Sequence, residues 1–184
     1  MPRLNAPDPR DIPDEISRLL DTLPPDPMFT TLSHSVTTIQ PLLTLARVLY
    51  TSIQLPARSR EIAILTLADQ ARSDFVWTQH TPISQAAGIT SDTRRTIQNR
   101  DYSSLAAEDR TIAEFAAAAA TGPEVSDGVF NAVRAQLSER QVVELLHVLG
   151  YYWTLARFST VLGLKPTQIY AAEYGTEWPY RQDT

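Results

Sequence analysis

The most informative feature of this 184-residue sequence is that it contains no cysteine. Without cysteine the chain cannot form a disulfide, use a thiolate nucleophile or hold zinc through sulfur. Its three histidines are scattered, and no HxxxH or HExxH spacing occurs, so no metal site is predicted. GxGxxG and Walker-type phosphate loops and the GxSxG elbow are also missing. We therefore expect a protein that works without cofactor or metal.

Positive charge and long apolar runs are also scarce. The chain has 16 Lys and Arg against 21 Asp and Glu, a formal net charge of -5, and no basic stripe that would follow a phosphate backbone. No stretch approaches the roughly 18 consecutive apolar residues of a membrane span, and the N-terminus lacks an apolar signal segment. These features predict a cytoplasmic protein that binds neither nucleic acid nor membrane.

Glycine is rare as well, with only six residues, and most of the chain shows apolar residues at a period of 3.6. This pattern predicts an all-α protein of about eight helices in one domain, 1–184. Residues 1–34 are expected to form a loosely packed N-terminal extension and 173–184 a C-terminal tail. Proline, glycine and capping residues place the helices at 13–23, from 36 with a kink at Pro41, 55–71, 74–88, 92–99, 108–120, 126–137, 139–162 and 166–172.

Two polar residues stand out in the helices at 55–71 and 74–88. Glu61 is a carboxylate in a helix that is apolar nearly all round, as a buried helix is. It is either a buried proton carrier or a helix-start carboxylate that pairs with Arg58 and does nothing else. His80 follows Trp77 by one turn, so the two rings share a helix face. That pairing fits either a small pocket or a hydrogen-bonded core histidine.

A second pocket wall is predicted in the segment VVELLHVLGYYW. His147 has Tyr151 one turn later, and Gly150 between them leaves room beside the helix. Either Tyr151 or Tyr152 could supply a phenol donor to the pocket, while at least one of the two packs in the core. His34 stands alone in a predicted loop and is given no role.

The segment LPARSREIAILTLADQARSDFVWTQHTPISQAAGI resembles the carboxymuconolactone decarboxylase family, which includes the alkyl hydroperoxide reductase D-like peroxidases. The segment LSERQVVELLHVLGYYWTLARFSTVLGL resembles a second helix of the same family. Together the resemblance covers about residues 42–164. It implies a single-domain helical bundle of the alkyl hydroperoxide reductase D-like type that forms a homo-oligomer (dimer, trimer or hexamer).

The family's peroxidase branch uses a glutamate, a CxxC pair and a histidine as a proton relay. By position the glutamate falls on Glu61 and the histidine on His80, while the cysteine positions fall on Ser73 and Val76. Thiol-dependent peroxide reduction is therefore excluded. The acid/base pair that remains resembles the decarboxylase branch, which works without metal or organic cofactor.

The resemblance thus implies a cofactor-free lyase that decarboxylates a small lactone or related oxygenated organic acid. His80 is expected to deliver the proton and Glu61 to orient and reprotonate it. The residues expected to contact the substrate are Trp77, Ser73, Arg58, His147 and Tyr151. Two alternatives stay open: an isomerase or cyclase acting on a polyketide-like intermediate, and a non-catalytic oligomeric scaffold.

Overall fold

The computed structural model describes residues 2–167, which form nine α-helices and no strand. The prediction of an all-α protein is confirmed. The predicted helix 166–172 and the tail 173–184 lie outside the described residues, apart from the first two positions of that helix. The helices are α1 (Asp14–Asp21), α2 (Pro27–Leu32), α3 (Val36–Thr51), α4 (Ala57–Gln70), α5 (Asp74–Ala86), α6 (Ser91–Gln98), α7 (Ala107–Thr121), α8 (Asp127–Gln136) and α9 (Glu139–Leu162).

Helix α4 lies at the centre of the fold. Nine consecutive residues, from Arg60 to Ala68, are all buried. A helix that is apolar nearly all round reaches its lowest free energy when other elements cover every face. Accordingly α4 packs against α5, α7 and α9. The polar side chains at positions 60–68 of α4 are therefore inside the protein and must find their partners there.

The turn from α4 into α5 is fixed by a cap. Arg72 takes the left-handed conformation with φ of 52°, and Ser73 follows as the N-cap of α5. The Ser73 hydroxyl accepts a hydrogen bond from the backbone N–H of Val76 at 3.2 Å, which satisfies one of the free donors at the helix start. Helix α5 continues from this cap through Pro82 to Ala86.

The longest described helix is α9, whose observed bounds equal the predicted ones. A capping box between Ser138 and Gln141 begins it. Gly163 ends it in the left-handed conformation with φ of 67°, which glycine adopts without steric cost. No helix within residues 2–167 combines the length and the apolarity needed to cross a lipid bilayer.

The N-terminal segment differs from the expected loose packing. Ile16 of α1 and Met28 and Leu32 of α2 are buried in a second apolar cluster with Ile39 and Phe75. Helix α2 was not predicted because prolines crowd this segment. Its first residue is a proline, which fits position N1 because no N–H is needed there, and the residue before it supplies the cap.

Candidate functional site

The structure brings Glu61 and His80 into direct contact, although 19 positions separate them in the sequence. Nδ1 of His80 lies 2.8 Å from Oε2 of Glu61. Glu61 is fully buried and His80 is 4% exposed. An ionised carboxylate only accepts hydrogen bonds, so the ring hydrogen sits on Nδ1 and Nε2 remains for another partner. This arrangement fixes both the tautomer and the orientation of the imidazole.

Arg60 is the second partner of Glu61. Its Nε donates to Oε1 of Glu61 at 3.0 Å, and the guanidinium lies 4.0 Å from the centre of the Tyr50 ring. The guanidinium charge offsets the buried carboxylate charge, so the pair is close to neutral. Nη2 of Arg60 has no hydrogen-bond partner within the described residues.

Two tyrosines complete this buried polar group. The hydroxyls of Tyr50 and Tyr152 are 2.9 Å apart, and the ring of Tyr152 meets the imidazole of His80 edge-to-face at 4.6 Å. Burial raises the pKa of the Tyr50 phenol well above its usual value, and the nearby negative charge of Glu61 raises it further. Burial likewise raises the pKa of Tyr152. Both phenols therefore stay protonated and serve as hydrogen-bond donors.

A cavity of about 60 Å³ opens beside His80. Since one water needs about 10–15 Å³ on this measure, the cavity holds a few waters or a small organic group. Polar groups enter it from three sides, namely Tyr50 of α3, His80 of α5 and Tyr152 of α9. Its apolar lining includes Met28, Phe29, Leu43, Phe75 and Leu155.

The N-terminal segment forms the remaining wall. Asp26 is 2% exposed, lines the cavity and accepts a hydrogen bond from the backbone N–H of Met28 at 2.7 Å. Its other oxygen accepts a hydrogen bond from the side chain of Gln79, the residue before His80. The segment is thereby tied to α5 beside the imidazole. This second carboxylate of the site lies within the extension that was expected to pack loosely.

Among the predicted substrate contacts, Tyr151 lines the cavity, where burial raises the pKa of its phenol. Trp77, Ser73, Arg58 and His147 do not line it. Trp77 is half-buried against the main core, although it lies one turn before His80. The reason is geometric: the cavity lies on the side of α5 that faces α3 and α9, and the indole leaves the helix on another side.

Three more of the predicted substrate contacts lie away from the cavity: two have structural partners and the third faces solvent. The Ser73 hydroxyl lies 2.8 Å from the hydroxyl of Ser159. Arg58 binds both carboxylate oxygens of Asp109, at 2.9 and 2.7 Å, and the carbonyl of Gly88. His147 is exposed on the outer side of α9. These three side chains do not line this cavity, and their contact with substrate stays a prediction.

Sequence reasoning missed four members of the site: Arg60, Tyr50, Asp26 and Gln79. Arg60 is adjacent to Glu61 in the sequence, and neighbours i and i+1 on a helix do not normally face each other. A signal existed for Asp26, because an aspartate before a proline is a typical helix start. No local signal marks Tyr50 or Gln79 as pocket residues. No group of three or more His, Asp or Glu side chains among residues 2–167 is arranged to hold a metal ion.

Comparison with known proteins yields matches in structure only. No family model matches the sequence, and no curated protein matches it. A peroxidase-related protein of Ralstonia eutropha with an alkylhydroperoxidase AhpD core superposes with a TM-score of 0.77 at 16% identity, covering 97% of each chain. A peroxidase-related protein of Silicibacter gives 0.76 at 16% identity, covering 93% of this chain and 94% of that one.

A third similar structure is a protein of unknown function from Agrobacterium tumefaciens, named for AhpD and antioxidant defence. Its TM-score is 0.68 at 16% identity, and the match covers 74% of this chain and 95% of that one. At this identity the likeness establishes the fold alone. The chain therefore has the AhpD-like fold, as the sequence resemblance implied.

Proposed function

We propose that this protein is a cofactor-free enzyme that moves a proton at a carbon atom next to a carbonyl group of a small, uncharged lactone or ketone. The observation that carries the proposal is the Glu61–His80 contact at 2.8 Å, with the second imidazole nitrogen beside a cavity. A neutral imidazole held in this tautomer accepts a proton at Nε2, and its cation returns one.

In this proposal, Tyr50 and Tyr152 stabilise the oxyanion. When a proton leaves carbon, negative charge develops on the carbonyl oxygen, and donors placed there in advance lower the barrier. In this proposal Tyr50 donates to Tyr152, and Tyr152 donates its own hydrogen to that oxygen. The raised pKa values of both phenols suit this role, because a phenolate would repel the developing charge.

The charge of the cavity wall favours an uncharged substrate. No lysine or arginine is among the described residues that line the cavity. A bound carboxylate would lose its hydration without gaining a cationic partner. This argument favours the isomerase type of reaction over decarboxylation of a lactone acid.

Decarboxylation remains the second candidate because most of the wall is apolar. An apolar surrounding destabilises a carboxylate relative to CO2, and protonation of the resulting carbanion needs a group such as His80. The dienolate formed on CO2 loss would place its oxygen at the same Tyr152 hydroxyl. The two reactions therefore share one machinery and differ in the substrate.

Thiol-dependent peroxide reduction is not part of the proposal. Two of the similar structures are named peroxidase-related. The thiol mechanism needs a sulfur that is oxidised and reduced again. This chain has no cysteine, and at the two corresponding positions it has Ser73, which caps α5, and Val76.

The test uses a panel of small unsaturated lactones and cyclic ketones, each with its matching carboxylic acid, in D2O. We expect deuterium uptake next to the carbonyl, seen by proton NMR, with the uncharged members and little with the acids. His80→Gln should slow uptake by about 10²- to 10⁴-fold, the usual range for an acid/base residue. Release of CO2 from the acids would select decarboxylation instead.

His147→Gln is the matched control, because it makes the same substitution at an exposed histidine of α9. Its uptake rate should equal that of the parent protein. Absence of uptake, CO2 release and ligand-induced thermal stabilisation across the panel would contradict an enzyme and support the scaffold alternative.

A further inference from the structure

The outer face of α9 is apolar and exposed along most of its length. Eight large apolar side chains are exposed within the described residues, and four of them lie on this helix. They are Val143, Leu146, Trp153 and Val161, with exposures of 53, 46, 46 and 43%. Such a concentration on one helix is typical of a surface that another protein covers.

The exposed residues follow a heptad spacing. Steps of four, three, four, three and four residues connect Glu139, Val143, Leu146, Gly150, Trp153 and Arg157. At 3.6 residues per turn these six positions fall within an arc of about 80°. All six are exposed. The pattern is that of a coiled-coil seam, and within residues 2–167 no other element covers it.

The seam is complementary to itself when two copies run antiparallel. One register pairs Val143 with Trp153 of the second copy and Leu146 with Gly150. The same register places Glu139 opposite Arg157 at each end. A parallel pairing would instead set glutamate against glutamate and arginine against arginine, which repel each other. Charge thus selects the antiparallel orientation.

Gly150 supplies the space for close approach. It is exposed in the middle of α9, and a Cβ atom added there would meet no atom of residues 2–167 within 4 Å. This part of the chain therefore gives no steric reason for glycine at a position where it weakens a helix. In the antiparallel register the absent side chain leaves a hole for Leu146 of the second copy.

From these four observations we propose that the protein forms a twofold-symmetric homodimer through antiparallel packing of α9 against α9 of a second copy. The interface is isologous, so each pair of contacts occurs twice. The opposite side of α9 carries Tyr151 and Tyr152 into the cavity. The inner face of α9 therefore lines the candidate site, and its outer face forms the proposed interface.

A charge exchange tests the register. The parent protein should have twice the mass of one chain, or an even multiple of it, in light scattering at micromolar concentration. Arg157→Glu and Glu139→Arg, each alone, should at least halve this mass because like charges then meet at both ends. The two changes together should restore it, since the pairs are rebuilt with exchanged signs.

Gly150→Phe tests the close approach. The added ring has room in the separate chain but overlaps Leu146 of the second copy, so this variant should lose the partner while circular dichroism stays that of a folded helical protein. Gly128→Phe is the matched control, because a Cβ atom at Gly128 also meets nothing within 4 Å and the residue lies on α8. Its mass should be unchanged.

Three results would overturn the proposal. The first is a parent protein that is monomeric at these concentrations, and the second is one that is trimeric. The third is an oligomer whose mass does not respond to Gly150→Phe or to either charge reversal, because its interface then lies on another surface.

Discussion

The start and the middle of α5 differ in what their polar residues do. At the start of the helix, Ser73 caps the backbone and bonds to Ser159, so its hydroxyl is fully used in holding the fold. Two turns later, His80 uses one ring nitrogen for Glu61 and presents the other beside a cavity. In the peroxidase pattern that the sequence resembles, both positions belong to one relay. Here Ser73 has only structural contacts, whereas His80 contacts a buried carboxylate and lines a cavity.

The largest effect should follow from changing the carboxylate that orients His80. The amide of Glu61→Gln can donate to Nδ1, which moves the ring hydrogen to Nε2 and removes the base. We expect turnover to fall by about 10²- to 10⁴-fold, as for loss of an acid/base group. The measurement is the initial rate of deuterium uptake, corrected for the folded fraction.

That correction matters because Glu61→Gln leaves Arg60 without its partner, and breaking a buried ion pair costs about 3–5 kcal/mol. The double variant Arg60→Met with Glu61→Gln removes both charges and should recover stability without recovering turnover. Full turnover in either variant would show that the contact orients nothing that the reaction needs.

Tyr152→Phe should have the next largest effect. It removes the proposed donor to the substrate oxygen while keeping the ring that packs against His80. Loss of one oxyanion donor costs about 10²- to 10³-fold in turnover number. The Michaelis constant should change little, because the hydrogen bond strengthens only as charge develops. A variant that changes only the Michaelis constant would assign Tyr152 to ground-state binding.

Alkaline pH should lower the free energy of unfolding through the tyrosines beside His80 and not through Ser73. The folded protein keeps Tyr50 and Tyr152 neutral, because their pKa values lie well above the ordinary 10.0 of the unfolded chain. Below pH 10 the two phenols contribute fully to the free energy of unfolding. As pH rises above 10 this contribution is lost, at up to about 1.4 kcal/mol per pH unit for each phenol.

Urea unfolding between pH 9 and 11 measures this slope. The double variant Tyr50→Phe with Tyr152→Phe should reduce the slope to the part that the other buried phenol, Tyr151, contributes, whereas Ser73→Ala should leave it unchanged. An equal slope in all three proteins would mean that these phenols ionise normally in the folded state.

The smallest effect should come from Ser73→Ala. Loss of the helix cap and of the bond to Ser159 should reduce the free energy of unfolding by about 1 kcal/mol. Turnover should stay within a factor of two of the parent, because Ser73 does not line the cavity. A large loss of turnover with unchanged stability would instead mean that Ser73 contacts the substrate.

Much of the fold was predictable because its signals are local. The bounds of α9 agree with the sequence prediction, since apolar spacing, a capping serine and a terminal glycine act within a few residues. The Ser73 cap was readable for the same reason. Helix α2 was missed because prolines are also ordinary loop signals, although Asp26 before Pro27 is a typical helix start and burial of Met28 and Leu32 favours the helix.

The candidate site was predictable only in part. Resemblance placed Glu61 and His80 in one relay, and the structure brings them together. Helical spacing also placed Trp77 beside His80, but a shared helix face does not say which neighbouring helices form the cavity wall. Tyr50 and Asp26 reach the site from other elements, so no spacing within one helix could predict them.

The sequence by itself determined the absence of sulfur chemistry, the helical class and the heptad pattern on α9, because these depend on residue types and on short-range periodicity. Tertiary structure alone decided that Arg60 neutralises Glu61, that Tyr50 meets Tyr152 and that the N-terminal segment closes the cavity. The last two contacts join residues 102 and 53 positions apart, which only the packing of whole helices brings within hydrogen-bonding distance. Arg60 and Glu61 are adjacent, but only burial of both side chains makes them pair.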